Sequence, residues 1–287
     1  MYGRLIVVDG RQRLTALFEY MDDAYALTKL KILPKLNNLR FSQLPPQLVG
    51  RLEDYQIQAH VILPPTPERI KFDIFDRVNR GGMQLNKQEI RNALYQGEAT
   101  KLLKRIVESD AFKKATGDAF INEKRMKDKY LITRFMTFVL YYLDKLEDDE
   151  GEAYVYRDDI DDLLGRGMDT INKMGKISTK EIDALEDMVM DNLEKLYFYL
   201  GEDAFRLKQE GKRSPINMNV FESVMFMMVP LPKNTEQIKS KVQEEYFHLI
   251  NSPEFKDNIG NHRDSATKLH WRLNTAERIG KRITDSV

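Results

Sequence analysis

Cysteine is absent from the chain. That excludes disulfides, thiolate-bound zinc and a cysteine nucleophile, and it fits a reducing, cytoplasmic setting. No apolar run approaches the roughly 18 residues that a membrane span needs, so no membrane partner is expected. The start of the chain does not read as a signal peptide. Net charge is also lacking, because 45 basic and 45 acidic side chains cancel. No global field draws the protein to nucleic acid or to a membrane surface, and any anion site must be local. The four histidines, His60, His248, His262 and His270, are scattered. Asn261-His262-Arg263-Asp264 hints at a nuclease, but no second histidine stands at the spacing of a ββα-metal site. P-loop, nucleophile-elbow and dinucleotide-fingerprint glycine motifs are missing, as are internal repeats.

What remains is a hydrophobic content of 42% and a charged content of 31% over 287 residues. Such a chain is globular, biased toward helix, and long enough for two domains or one large one. Its first informative stretch is VVDGRQRLTAL, residues 7–17. Leu5 to Val8 reads as a short buried strand, Asp9-Gly10 as a turn, and Leu14, Leu17, Phe18 and Met21 as one face of a helix. Asp9 and Gln12 have the spacing of a capping box. Two readings of the joint stand together. It is a capped helix with two solvent-facing arginines, or it is an anion site in which the helix N-terminus is reinforced by Arg11 and Arg13.

Farther along, Ala24–Leu33 and, more clearly, Gln56–Leu63 (QIQAHVIL) read as strands, with a helix from Leu48 to Tyr55 between them. From Thr66 the pattern turns helical, Ile70, Ile74, Phe75 and Val78 sharing a face. The second informative stretch is FDRVNRGGMQLNKQEIRNALYQG, residues 75–97. Asn79-Arg80-Gly81-Gly82 is a helix stop that permits positive φ, and beside Arg80 its glycines suit a small anion-accepting nest. Asn86 and Glu89 form a capping box for the next helix, with Arg91 on the face opposite Ile90 and Leu94. The remainder reads as all α: Arg125–Leu143, Ile182–Leu200, Asn219–Val229, Glu236–Ile250 and Ser265–Ile283. Arg157 to Asp162 reads as a solvated acidic helix start, and Met218, Met225, Met227 and Met228 as gap-filling core.

The pair of stretches, in this order and with this gap, resembles the GmrSD N-terminal family, the DGQQR-motif domains. RMKDKYLITRF, residues 125–135, is similar to this family's helical part. The resemblance implies a ParB/sulfiredoxin-like α/β unit with phosphate chemistry at a strand–helix joint. The family motif falls on Asp9, Gly10, Arg11, Gln12 and Arg13, with Arg11 in place of a glutamine. It implies nucleoside-triphosphate binding and hydrolysis, GTP often being the nucleotide, in a bacterial DNA-defence system where this activity regulates a separate nuclease subunit. On that basis Gly10, Arg11 and Arg13 bind phosphate, and Asn79, Arg80, Gly81 and Gly82 form a second wall. Arg13 stabilises developing charge, Gln12 positions water, and Asp9 orients water or holds Mg2+ brought with the nucleotide.

Family members carry further sequence before the motif, including a first strand, so the α/β unit is expected to be incomplete. Self-association through the Arg4–Val8 strand edge is then an expectation. Nuclease members carry an HNH domain after the helices and this chain has none, so it is not expected to cut DNA by itself. The expected architecture is α+β: a ParB-like domain at residues 1–82, then a helical domain at 83–287. Two functions stand: a nucleotide-binding and hydrolysing regulator of a DNA-defence system, or a non-enzymatic module that keeps the fold and binds DNA or a protein.

Overall fold

The computed structural model describes residues 7, 10–63, 66, 70, 72–74, 77, 85–177, 179–207 and 213–285. They belong to two compact units, Met1–Gln84 and Leu85–Val287.

In the first unit α1 spans Arg11–Met21, and α2 spans Pro46–Glu53 with proline at its first turn. Single 3-10 turns at Pro34–Leu36 and Phe41–Gln43 lie between them. The C-terminal end of α1 is tied to that connection mainly by aromatic packing. The Tyr20 ring is buried, with Tyr25 at 5.5 Å and Phe41 edge-on at 6.0 Å. The Tyr25 hydroxyl donates back to the Ala16 carbonyl at 2.7 Å. Asn37 closes the intervening loop by accepting from the Leu30 N–H at 2.8 Å and donating to the Pro34 carbonyl at 3.0 Å. Among the described residues of this unit, only Tyr20 and Leu44 are buried.

Neither expected strand forms among the described residues. Ala24–Leu33 is a bent connection, and Gln56–Leu63 has no regular secondary structure and joins no ladder among the described residues. Alternation of apolar and polar side chains predicts an extended backbone. A strand additionally needs a regular row of neighbours for its N–H and C=O groups; Leu27 bonds Leu39 and Asn38, and Leu30 bonds the Asn37 side chain, which closes a loop and builds no ladder. The expected strand Leu5–Val8 lies outside the described residues, apart from Val7. Residues 70, 72–74 and 77 are helical, as the pattern after Thr66 predicts.

Among its described residues the second unit has helices and one isolated bridge, Glu147 to Ala153, which closes a short acidic turn. Its helices are α3 (Lys87–Leu94), α4 (Glu98–Glu108), α5 (Asp110–Thr116), α6 (Lys127–Tyr142) and α7 (Ile160–Ile177). There follow α8 (Thr179–Leu200), α9 (Met218–Met228), α10 (Glu236–Asn251), α11 (Pro253–Asn258) and α12 (Ala266–Thr284). Two of them are apolar nearly all round and occupy the middle, as such helices must. Leu131 to Leu140 of α6 and Asn219 to Met228 of α9 are buried without a break. Phe135 meets Phe226 edge-on at 5.5 Å between them. Met225, Met227 and Met228 are core, as the sequence suggests.

The amphipathic helices wrap this pair. Side-chain caps begin several of them, from Asn86, Ser109, Asn217, Ser252 and Ser265. Where α12 crosses α9, Gly280 sits so close that a Cβ would lie 2.3 Å from the Met227 carbonyl oxygen. No side chain fits there, and the absence of one sets the spacing of the two helices.

Candidate functional site

The joint predicted at residues 9–13 begins at Gly10. Its φ of +87° lies in the left-handed region, where glycine carries no steric penalty, and it is the N-cap of α1. The capping box expected from Asp9 and Gln12 falls on Asp9, which lies outside the described residues. The turn itself is made by the left-handed backbone of Gly10, which occupies the cap position. The first intrahelical bond runs from the Leu14 N–H to the Gly10 carbonyl at 2.8 Å. The amides of Arg11, Gln12 and Arg13 therefore precede the helical ladder, at the end of α1 where the dipole favours an anion.

The side chains of Arg11, Gln12 and Arg13 are all exposed. The Arg13 guanidinium folds back over the turn, its Nη2 lying 3.7 Å from where a Gly10 Cβ would stand. Gly10 is thus required for its φ more than for room. The structure brings Gly10, Arg11, Gln12 and Arg13 together at one helix end. Asp9 and the proposed second wall, Asn79, Arg80, Gly81 and Gly82, lie outside the described residues.

The second unit holds a charged cluster that the sequence reading missed. Arg134 of α6, Glu222 of α9 and Arg272 of α12 are all fully buried. Arg134 donates to both Glu222 oxygens, from Nη2 at 3.0 Å and from Nε at 3.2 Å. The same Nη2 reaches Asp264 Oδ1 at 2.7 Å. Arg272 donates to Glu222 Oε1 at 3.5 Å and to the carbonyls of Asn258 at 2.8 Å and Arg263 at 2.5 Å. The Tyr130 hydroxyl accepts from Arg134 at 3.2 Å, and the Tyr130 ring lies 5.7 Å below both Arg134 and Arg91.

Arg91 corrects the expectation that it faces away from the core. It is completely buried, paired with Asp161 and bonded to Gln88 at 3.2 Å, while Gln88 reaches the Thr133 hydroxyl at 3.1 Å. The helix α3 is covered on both faces, so a wheel drawn for a surface helix misplaces this residue. Asp161, read as part of a solvated helix start, is the carboxylate that neutralises it.

Burial works against the charge on each of these arginines. At Arg134 the attraction of Glu222, helped by Tyr130 and Asp264, more than offsets it and the guanidinium pKa lies above its usual value. At Arg91 and Arg272 burial prevails and the pKa lies below it. Three arginines, Arg91, Arg134 and Arg272, face three carboxylates, Glu222, Asp264 and Asp161, and the exposed Lys87 also reaches Asp161. The cluster's charged groups bond mainly to one another and to backbone carbonyls, and they tie α3, α6, α7, α9 and α12 together. The buried Arg272 Nε finds no hydrogen-bond partner among the described residues. A lone Arg134 within YLITRFMTFVL and a lone Glu222 within VFESVMF were the signals for it. His262 and Arg263 are exposed, and Asp264 is held by Arg134.

Among the described residues no cluster of histidine and acidic side chains is arranged to hold a metal ion. Among them, too, no helix is long and apolar enough to cross a membrane. The molecule is thus a predominantly helical protein whose first unit opens on a glycine-turned, arginine-flanked helix start. Residues 2–96 match the model of the GmrSD restriction endonuclease N-terminal domain. No curated protein and no solved structure matches the chain.

Proposed function

We propose that the protein is a nucleotide-responsive component of a restriction-type DNA-defence system, binding the phosphates of a nucleoside triphosphate, GTP in the first instance, at the start of α1. The observation that carries this reading is the left-handed Gly10 turn at the start of α1, with the Arg13 guanidinium folded back over it. The family match of residues 2–96 sets the context of restriction. In this reading the ParB-like α/β arrangement places Asp9 before the turn and Asn79 to Gly82 across from it. Gly10, Arg11 and Arg13 hold phosphate oxygens through amides and guanidinium groups. Gln12 orients the attacking water, and Arg13 stabilises charge that develops on the transferred phosphoryl group. Magnesium enters on the phosphates, with Asp9 as its protein carboxylate. An ion of this kind keeps several waters and needs few protein ligands, which suits a joint with one acidic side chain. DNA and a separate nuclease subunit are the partners that receive the signal.

Two measurements test the reading: calorimetric titration with several nucleoside triphosphates in magnesium, and phosphate release from each. Gln12→Ala is expected to slow phosphate release more than it weakens binding. Binding without phosphate release removes hydrolysis and leaves a nucleotide sensor. No binding of any triphosphate removes the proposal, in favour of a module that recognises DNA or a protein without nucleotide.

A further inference from the structure

Many exposed cations of the helical unit are matched locally. Lys101 pairs with Glu98, Lys104 with Glu108, Arg105 with Glu186, Arg125 with Glu89 and Lys281 with Glu277. Lys113, Lys114, Lys124 and Lys127 are exposed as well, and they have no carboxylate partner among the described residues. The acids near them in sequence are turned elsewhere. Glu123 accepts from the Arg125 N–H, and the half-buried Asp128 accepts from the Lys129 N–H at 2.7 Å. Asp118 is the one exposed acid between residues 113 and 127. Arg213 reaches the Gly117 carbonyl from the other side, and the adjoining stretch 208–212, outside the described residues, reads KQEGK, with more cation than acid.

The chain path gathers the four lysines at one corner. Lys113 and Lys114 lie in the last turn of α5, whose end is closed by the Gly117 and Asp118 N–H groups. Phe120 then stacks on Phe112 at 5.7 Å, folding the connection back onto α5. The four residues from Phe120 to Lys124 reach at most about 14 Å even when fully extended. Asn86 donates to the Arg125 carbonyl at 2.7 Å and pins the approach to α6. Lys113 and Lys114 suit the carbonyl end of a helix. Lys124 and Lys127 stand instead at the N-terminal end of α6, where the dipole disfavours a cation and no described side chain caps the helix. Cations kept where they weaken their own helix, and where no carboxylate meets them, are accounted for by an anion outside the chain. A protein partner would call for an apolar centre. Ile121 alone is strongly exposed there, at 78%, and single apolar side chains are ordinary on surfaces. Lysines are flexible, hydrated point charges and suit a row of phosphates. We infer that the end of α5, the connection through residues 117–126 and the start of α6 form a docking surface for the phosphate backbone of duplex DNA, contacted by Lys113, Lys114, Lys124 and Lys127. The choice of DNA rests on the restriction reading above, whereas the surface uses none of the residues assigned to nucleotide.

Fluorescence anisotropy of a short labelled duplex with the full chain, without nucleotide, tests this. Four phosphate contacts give log affinity against log salt a slope of about −3.6, a loss of roughly a hundredfold between about 50 and 200 mM. Lys124→Gln with Lys127→Gln should flatten that slope by about 1.8 and weaken binding by about tenfold or more at low salt. Lys233→Gln with Lys281→Gln removes the same charge from sites paired with Glu194 and Glu277, and should change neither. These side chains are exposed, and melts of each variant confirm that it folds. Arg13→Ala should bind the duplex as the parent does, so failure of the nucleotide reading and failure of this surface are told apart. Absence of duplex binding at low salt overturns the inference. So does binding that the Lys233 and Lys281 changes weaken as much as the Lys124 and Lys127 changes. Displacement of the duplex by polyglutamate as readily as by unlabelled duplex assigns the corner to an acidic protein and overturns it too.

Discussion

Replacing Glu222 by glutamine changes one oxygen for an amide nitrogen at nearly constant volume, so its effect isolates charge. Glu222 takes three hydrogen bonds from Arg134 and is the carboxylate that faces Arg272. After the change Arg134 keeps Asp264, at 2.7 Å. Arg272 keeps the carbonyls of Asn258 and Arg263, which carry no charge to offset its own. The new amide N–H groups would also point at a guanidinium. Breaking a buried ion pair by removing one partner costs about 3–5 kcal/mol, because the other charge stays buried and uncompensated. For a unit of this size each kcal/mol shifts the melting temperature by roughly 2–4 °C, so the midpoint should fall by about 6–20 °C. Circular dichroism melts of the two forms measure it, with urea unfolding as a check that the slope is unchanged. Glu108→Gln is the matched control. It removes the exposed 3.9 Å pair with Lys104, a contact worth about 0–1 kcal/mol. A fall for Glu222→Gln no larger than that of the control would refute the view that this cluster holds the helices in register.

Arg13→Ala should leave the fold intact while lowering triphosphate affinity by roughly ten- to a hundredfold, the worth of one charge-assisted hydrogen bond. Calorimetry that finds equal affinity would make Arg13 a surface residue beside a turn. Gly280→Ala drives a methyl group to 2.3 Å from the Met227 oxygen and 2.6 Å from Pro230 Cγ. Overpacking of this kind costs about 1–3 kcal/mol, and a melting temperature within 1 °C of the parent would show that α12 can shift at no cost. Asp148 accepts from the Glu152 and Glu150 N–H groups, which hold its carboxyl below the usual carboxylate range. The carboxylate therefore supports the 146–154 turn above the ordinary carboxylate pKa, and that support is lost as pH falls through the lowered value. An NMR titration in which Asp148 protonates at or above the ordinary value would contradict it.

Helical periodicity was enough to place most of the second unit. Arg125–Leu143 and Asn219–Val229 were legible because their apolar character is not confined to one stripe, and such helices have to lie in the centre. The capping box of Asn86 and Glu89 was legible because both partners lie within four residues, and it forms as read, with Glu89 accepting from the Asn86 N–H at 2.7 Å. Contacts over long separations were not. Arg134 and Glu222 stand 88 residues apart, and nothing local in either helix names the other, although a lone charge among apolar neighbours announces that a partner exists. Arg91 was misplaced for a related reason. Opposite Ile90 and Leu94 the helical wheel gives a second face, and whether that face meets water or another helix is decided by α6 and α7. The alternation in Gln56–Leu63 likewise specifies a chain shape without specifying a partner. At the joint, spacing located the turn and the helix start, but it chose Asp9 as the cap where Gly10 serves.

The family match and the packing divide the chain at different points, and the difference has physical content. The match runs through residue 96, whereas the second unit begins at Leu85. The helix α3 therefore belongs to the family stretch by sequence and to the helical unit by contact. Its buried side chains explain the overlap. Arg91 requires Asp161 from α7 and lies over Tyr130 of α6, and Gln88 requires Thr133. An arginine that is fully buried cannot be left without its carboxylate at a cost of less than several kcal/mol. A helix carrying one is consequently stable only with the helices that neutralise it. Sequence similarity records descent along the chain, while the buried charge records which parts must fold together. For α3 the second consideration sets the smallest piece that can stand by itself, and that piece includes the helical unit.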